Sequence, residues 1–156
     1  MPEIKTIKLS NPLYIGVIAH LIRDFYDKVL STSAKKGISY ETLYSHCVNV
    51  VQNLGPVAEL WVSLKDEIPV AWGCWNVLGF PYYGAVYCSA LYNNSKDHAI
   101  TKELAEKFLS FAKDKKAPYV IFETQSEATA RICRKVMKEL DIAIEPTNIT
   151  QFIGRI

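Results

Sequence analysis

The sequence predicts an α/β (α+β) fold in which helices pack on both faces of a mixed, twisted β-sheet. Two apolar runs, AVYCSALY (85–92) and APYVIFET (117–124), are separated by a helical pattern, and this order is typical of a parallel crossover. The segment AELWVSLKDEIPVAWGCWNVL (58–78) instead contains two strand-like runs around a short polar turn. This pattern predicts an antiparallel pair, so we expect both kinds of pairing in one sheet.

The first three predicted elements are a strand and two amphipathic helices. EIKTIKLS (3–10) alternates in polarity and predicts a short strand. The next segment has apolar residues four apart, which predicts one long helix ending before Gly37. Its wide buried stripe comprises Leu13, Val17, Leu21, Phe25 and Val29, flanked by Ile18 and Ile22. Ser39 is the expected N-cap of the second helix, with Glu41 in its first turn. The buried face of this helix comprises Leu43, Cys47, Val50 and Leu54.

The second half of the chain adds two helices and further strands. Asp97 is the expected N-cap of a helix from about His98 to Lys113. Ser126 is the expected cap of a fourth helix, and IAIEP (142–146) and NITQFIGRI (148–156) are predicted as closing strands. The predicted order is therefore β-α-α-β-β-β-α-β-α-β-β.

Length and composition favour one ordinary globular domain. A chain of 156 residues fits a single domain, 1–156. The net charge of +2 does not by itself indicate a nucleic acid or membrane partner. No apolar run approaches the roughly 20 residues of a membrane span, and MPEIKTIKLS lacks the apolar core of a signal peptide. We therefore expect a cytoplasmic protein.

The cysteines and histidines do not have the spacing of a metal site. No two of the four cysteines form a C-x-x-C pair. Each lies in an apolar stretch, so we expect reduced core residues at Cys47, Cys74, Cys88 and Cys133. The histidines, His20, His46 and His98, also lack metal-ligand spacing.

The order of elements and the hairpin resemble the GNAT superfamily of acyl-CoA-dependent N-acetyltransferases. ELWVSLKDEIPVAWGCWNVL (59–78) is similar to the second and third strands of that family, with DEIPVAWG where the family has a D-G-x-I-V-G hairpin. The resemblance covers nearly the whole chain and extends to small GNAT-like proteins of bacteriophages. It implies a sheet splayed in the middle, with four helices, and acyl transfer from acetyl-CoA or another acyl-CoA to an amine.

The same resemblance assigns a cofactor site. Family members hold the CoA pyrophosphate in a glycine-rich loop at a helix N-terminus, and KDHAIT (96–101) occupies that position here. Lys96 replaces the family's arginine, whereas Ala99 and Thr101 replace its two glycines. The implied phosphate site comprises Lys96, His98, Ala99, Ile100, Thr101 and Lys102, and the implied pantetheine contacts are the backbones of Cys88, Ser89 and Ala90. Because both glycines are absent and Asp97 adds a negative charge, a plain helix cap with nothing bound remains the alternative.

Candidate catalytic groups are fewer. Such transferases need a base for the amine, and Glu123 and Glu59 lie at strand ends where a carboxylate is either exposed or drawn into the cleft. The family's acid is a tyrosine on the fourth helix, which here has none; Cys133 and Met137 lie nearest that position. Tyr92 and Tyr87, on the fourth strand, are the remaining proton donors.

Two further features leave alternatives open. The aromatic residues Trp61, Trp72, Trp75, Tyr82 and Tyr83 form either core or a binding surface. The basic residues Arg131, Arg134, Lys135 and Lys138 form either a solvated helix face or a phosphate-binding one. The rival functions are accordingly a non-catalytic GNAT-fold binding or assembly protein, also of phage type, and a modifier of DNA bases or of a host protein. A homodimer through 148–156 is a further expectation.

Overall fold

The computed structural model describes residues 2–30, 35, 37–123 and 127–146. Its elements follow the predicted order for most of the chain. They are β1 (Ile4–Lys8), a 3₁₀-helix (Pro12–Ile18), α1 (Ala19–Lys28), α2 (Tyr40–Asn53), β2 (Ala58–Lys65), β3 (Ile68–Val77), β4 (Val86–Asn93), α3 (His98–Asp114), β5 (Val120–Phe122) and α4 (Glu127–Glu139). The predicted cap Ser126 and the predicted last strand, 148–156, lie outside the described residues.

The five strands form one mixed sheet in the order β1-β2-β3-β4-β5. The pairs from β1 to β4 are antiparallel, and β4 pairs with β5 in parallel. The tight connection between β2 and β3 has positive φ angles at Asp66 (49°) and Glu67 (65°). Two such residues form the turn whose twist suits a hairpin. The predicted fold class, with its antiparallel hairpin and parallel crossover, is therefore confirmed.

Helices cover both faces of the sheet, as expected. On one face α1 and α2 pack over β2 and β3 around Trp72, whose indole nitrogen donates to the Leu21 carbonyl at 3.2 Å. On the other face α3 and α4 pack around Trp75, whose ring lies 5.7 Å from that of Phe108. Trp72 and Trp75 are fully buried, so the core interpretation holds for these two aromatic residues.

Glycine at position 73 is required by this second core. A Cβ atom built on Gly73 falls 2.7 Å from the Cζ3 atom of Trp75, two residues along the same face of β3. Real side chains essentially never approach this closely. Gly73 therefore lets the indole ring lie across the sheet beneath α3.

The predicted stripe of the first helix is wrong at its ends. Leu13, Val17 and Val29 are exposed, with exposed fractions of 83%, 54% and 44%. The first seven residues form a 3₁₀-helix, which has three residues per turn. Its buried side chains, Ile15 and Ile18, are accordingly three apart and continue into Leu21 of α1. The four-residue spacing read from the sequence belongs to an α-helix, and this segment is not one.

The predicted strand at Ile142–Pro146 is also not seen. These residues are described, but they have neither strand structure nor a β partner among the described residues. A strand is defined by its hydrogen-bonded neighbour, so apolar alternation alone was not enough. Among the described residues no helix is long and apolar enough to cross a membrane.

Candidate active site

The clearest opening in the sheet lies between β4 and β5. Their pairing runs only from Val86–Val120 to Cys88–Phe122, whereas β4 continues to Asn93. Beyond Cys88, no described strand pairs with this edge of β4. Peptide groups left unpaired at a strand edge can accept an extended chain or ligand. Residues 89–93, which include the predicted contacts Ser89 and Ala90, thus have no β partner on this side among the described residues.

A β-bulge sits where the gap begins. Cys74 of β3 pairs with Ala90, but the next residue, Trp75, pairs with Cys88, so Ser89 is the extra residue. Its hydroxyl donates to the Cys74 carbonyl at 3.1 Å. An extra residue reverses the alternation of side chains along the strand. Val86 and Cys88 therefore face α3, whereas Ala90 and Tyr92 face α1 and α2.

The bulge brings two tyrosines to the same face of β4. Tyr87 lies between Val86 and Cys88 in the strand and so points away from α3. Tyr92 packs against the α1–α2 core. In an unbroken strand, residues five apart point to opposite faces. Here both side chains lie on the α1–α2 face, one on each side of the bulge.

Each of these tyrosines interacts with a carboxylate. Burial, and then the nearby Glu123 carboxylate to which its hydroxyl is hydrogen-bonded, raise the pKa of Tyr87 to about 12. Glu123 follows β5 and is exposed. Tyr92 donates to Oδ2 of Asp24 on α1 at 3.4 Å, and burial and then Asp24 raise its pKa. Both phenols therefore keep their protons at neutral pH.

Asp24 was missed by the sequence analysis. It lies in the middle of a predicted amphipathic helix, where an acidic residue normally means a solvated face. Its side chain is in fact only 32% exposed, and its Oδ1 lies 3.3 Å from Nζ of Lys28. No local signal in the sequence connects it with Tyr92, which is 68 residues away.

Glu59 lies on the opposite face of the sheet from Tyr92. Its Oε2 accepts hydrogen bonds from the indole nitrogens of Trp61 at 2.8 Å and Trp75 at 3.3 Å. Its Oε1 lies 3.4 Å from Nζ of Lys8, and the side chain is 15% exposed. Both oxygens of Glu59 are therefore engaged, and the three predicted catalytic groups are not brought together.

The loop before α3 is closed by its own hydrogen bonds. The Asn93 side-chain amide donates to the Asp97 carbonyl at 2.8 Å and to the Thr101 hydroxyl at 3.0 Å. Its oxygen accepts from the Ser95 backbone at 2.9 Å. Lys96 adopts a left-handed conformation, with φ of 60°, as residues in such turns do. The predicted phosphate loop is thus a compact turn at the end of β4.

The N-terminus of α3 carries a carboxylate cap. Asp97 accepts from the Ala99 backbone N–H at 3.0 Å, which confirms the predicted cap. Its other oxygen lies 3.9 Å from Nζ of Lys65, and Nζ of Lys102 lies 3.6 Å from Oε2 of Glu139. A phosphate at this end of the helix must therefore displace the Asp97 carboxylate or share the amides with it.

Helix α4 supplies thiol and basic groups but no phenol. Burial raises the pKa values of Cys133 on α4 and Cys88 on β4, so both thiols are protonated at neutral pH. All four cysteines are free. Arg134 pairs with Glu127 at 3.1 Å. In the part of the chain that the structure describes, no cluster of three or more His, Cys, Asp or Glu side chains is placed to hold a metal ion.

Comparison of the fold with solved structures identifies the architecture. The aminoglycoside N-acetyltransferase AAC(6')-Iy in complex with CoA aligns with a TM-score of 0.73 at 10% identity, covering 100% of this chain and 97% of that one. A ribosomal-protein-alanine N-acetyltransferase from Brucella melitensis aligns at 0.67 and 15% identity, covering 98% and 99%. Glucosamine-6-phosphate N-acetyltransferase from Arabidopsis thaliana aligns at 0.67 and 12% identity, covering 97% and 99%.

The chain has the GNAT acetyltransferase fold. The resemblance inferred from the sequence is therefore confirmed for the fold. No family model matches the sequence, and no curated protein sequence matches it significantly. The narrower resemblance to bacteriophage GNAT-like proteins stays a prediction.

Proposed function

We propose that this GNAT-fold protein transfers an acyl group from acyl-CoA to an amine. The observation that carries the proposal is the gap between β4 and β5, which opens at the bulge and in which no described strand pairs with β4. Proteins of the same fold bind CoA, as in the AAC(6')-Iy complex and in a predicted acetyltransferase from Clostridium acetobutylicum with acetyl-CoA. Their acceptors include an aminoglycoside, sisomicin, bound to a soil metagenomic acetyltransferase.

The donor lies along the open edge of β4 in this proposal. The pantetheine arm is extended and polar, and it pairs with the backbone of Ser89 and Ala90 as an added strand would. Cys88, the third predicted contact, is the last residue of β4 that pairs with β5 and so lies at the end of the gap. The pyrophosphate then reaches the N-terminus of α3. The residues around it are Lys96, His98, Ala99, Ile100, Thr101 and Lys102, with the helix amides and the lysine charges providing the attraction.

Glu123 acts as the base in the proposed reaction. It accepts one proton from the acceptor's ammonium group, and the resulting neutral amine bonds to the thioester carbon. The carbon–sulfur bond then breaks, and the nitrogen releases its second proton to solvent. Tyr87 keeps its proton at neutral pH and is hydrogen-bonded to Glu123. The departing thiolate takes the Tyr87 proton, which Glu123 replaces. Glu59 is the second candidate base, and Tyr92 lies on the acceptor side of the bulge.

Calorimetric titration with acetyl-CoA and CoA at low salt tests donor binding directly. We expect the unmodified protein to bind acetyl-CoA with a dissociation constant in the micromolar range, and the Lys96→Glu variant to show no binding. The melting temperature of the variant should not fall, because Lys96 lies in an exposed turn. An amine screen with Glu123→Gln and Glu59→Gln then separates the two candidate bases. If millimolar acetyl-CoA or CoA produces neither heat nor a shift in melting temperature, the transferase proposal is refuted.

The capped N-terminus of α3 favours one rival function. Asp97 already satisfies the Ala99 amide, and Thr101 is engaged with Asn93. A GNAT-fold protein that serves as a binding or assembly module and binds no CoA does not need free backbone amides or a phosphate-binding hydroxyl at this helix N-terminus. The same titration decides between the two, because only the transferase requires the donor.

A further inference from the structure

We propose that the outward face of the 3₁₀-helix and α2 binds a second copy of this chain. The proposal does not depend on acyl transfer. It starts from the uneven distribution of charge: 22% of all residues are charged, yet segments 9–22 and 42–58 contain no Asp, Glu, Lys or Arg. These two segments include the whole 3₁₀-helix and nearly all of α2.

The two uncharged segments lie side by side. The Tyr40 hydroxyl, at the start of α2, donates to the carbonyl of Ala19, directly after the 3₁₀-helix, at 3.3 Å. A Cβ atom built on Gly16 falls 4.0 Å from the Tyr44 hydroxyl oxygen. Both helices bury their inner side in the same core around Trp72, so their exposed residues look away from the sheet together. We call the exposed residues of 13–20 and 42–53 the neutral face.

The 3₁₀-helix makes one half of the neutral face apolar. Leu13, Tyr14 and Val17 are exposed to 83%, 59% and 54%. Single exposed apolar side chains are ordinary on a protein surface, whereas a contiguous group of them marks an interaction site. These three side chains come from one short helix, and no charged side chain of that helix keeps a partner away.

Helix α2 gives the other half of the neutral face, which is polar but uncharged. Its exposed side chains are Thr42, Ser45, His46, Asn49, Gln52 and Asn53. The solvated face of a helix commonly carries charged residues, and charged residues are depleted in the core of protein interfaces. Charges resume at the edges, at Glu41 of α2 and at Arg23 and Asp27 of α1. This arrangement has the composition of an interface core with a charged rim.

The chemistry of these groups favours a second copy as the partner. In a two-fold dimer both copies present the same surface, so charges near the axis would meet like charges. Side-chain amides and hydroxyls carry both donors and acceptors, so an identical group can pair with them. Two such amides already pair within α2, where Nδ2 of Asn53 donates to Oδ1 of Asn49 at 2.8 Å. A face without Lys or Arg offers no attraction to nucleic acid or to an anionic membrane.

The neutral face is small for a protein interface. The 3₁₀-helix and α2 have 7 and 14 residues, and only the outward side of each is available. A standard interface uses roughly 20–30 residues on each partner. We therefore expect a weak, reversible dimer, with a dissociation constant on the order of 100 µM.

Analytical ultracentrifugation over a concentration series tests the association directly. At pH 8 histidine side chains are neutral, so the neutral face carries no charge. The mean mass should rise from near 17.6 kDa toward twice that value as the concentration increases from about 10 µM to about 1 mM. The dissociation constant should change by less than about twofold between low and high salt, because no charge pair holds the dimer.

Two substitutions place a charge on the neutral face, and a third is their control. Asn49→Asp keeps the oxygen that accepts from Asn53, so it changes the charge and preserves the helix contact. Leu13→Glu adds a carboxylate in the apolar half. We expect each to raise the dissociation constant more than about tenfold, because like charges then face each other across the interface. Phe80→Glu makes the same kind of change at a site that is equally exposed, at 80%, on the loop between β3 and β4, and it should leave dimerisation unchanged.

The possible results decide for or against the neutral face. A mean mass that stays at 17.6 kDa across the series overturns the proposal, and capture of the monomer by neutral phosphatidylcholine vesicles would assign the face to a lipid surface instead. Dimerisation that survives both Asn49→Asp and Leu13→Glu places the interface elsewhere on the chain. Thermal unfolding checks that the variants are folded. Amide chemical shifts of the unmodified protein give a test without substitution: those of 13–20 and 42–53 should move with concentration, and changes confined to other residues would overturn the proposal.

Discussion

Replacing Asp97 by asparagine should tighten acetyl-CoA binding by about tenfold. The carboxylate caps α3 at the point where the proposed pyrophosphate would lie. Asparagine is as good an N-cap as aspartate, so the substitution removes the charge and keeps the hydrogen bond to Ala99. The change thus isolates the repulsion between the cap and the donor.

The magnitude follows from Coulomb's law and the exposure of the site. Two unit charges about 5 Å apart repel by about 0.8 kcal/mol with bulk-water screening and by about 3 kcal/mol at an effective dielectric of 20. The Asp97 side chain is 31% exposed, and Lys65 at 3.9 Å partly neutralises it. A value near 1.4 kcal/mol lies between these limits, and it corresponds to about tenfold in the dissociation constant.

Calorimetry on the two proteins measures the effect, and Asp97→Ala is the control. Alanine also removes the charge, but it loses the cap at a cost of about 1 kcal/mol of stability. We expect a lower melting temperature for alanine and a nearly unchanged one for asparagine. An asparagine variant that binds acetyl-CoA no better than the unmodified protein would refute the charge argument. Weaker binding would indicate that Asp97 contacts the donor favourably.

Three further substitutions test the fold and the site. Gly73→Ala should lower the free energy of unfolding by about 1–3 kcal/mol, because the added Cβ meets the buried Trp75 ring. Denaturant unfolding measures this loss, and an unchanged midpoint would contradict the close contact between position 73 and the Trp75 ring. Ser39→Ala should lower the free energy of unfolding by about 1 kcal/mol, because the Ser39 hydroxyl accepts a hydrogen bond from the Thr42 backbone N–H at 3.1 Å. A variant as stable as the unmodified protein would exclude this cap. The pKa of Tyr87 is raised to about 12 in the folded protein from about 10 in the unfolded chain. The stability contributed by the protonated Tyr87 phenol is therefore complete below about pH 10 and is lost as the pH rises toward 12. Tyr87→Phe should therefore lose less stability over that interval, and its alkaline absorbance titration should lack the highest-pKa phenol; two superimposable titrations would contradict the assignment.

The local elements could be predicted from the sequence because their signals are local. Ser39 and Asp97 are short polar residues before apolar-periodic segments, and both cap helices as predicted. The polar turn at Asp66 and Glu67, between two strand-like runs, gave the hairpin. The parallel crossover followed from the apolar runs on either side of α3. These features depend on neighbours within a few residues, which the sequence displays directly.

Prediction failed where a local pattern fits more than one backbone. Leu13 and Val17 have the spacing of an α-helical stripe, yet the chain there takes the tighter 3₁₀ form and exposes both. It buries Ile15 together with Ile18, which the predicted stripe did include. Ile142–Pro146 alternates like a strand but has no partner among the described residues. In both cases packing against the rest of the domain decides between conformations of similar intrinsic preference.

The sequence by itself determined the fold class, the order of most elements and the position of the loop before α3. Only the tertiary structure decided which side chains share a site. One extra residue at Ser89 reverses the alternation of β4 and places Tyr87 and Tyr92 on one face. Glu59 is held across the sheet from Tyr92 by two indoles, and Asp24 reaches Tyr92 from a helix 68 residues earlier. Bulges and long-range contacts depend on strand register and helix docking, which no local stretch of sequence encodes.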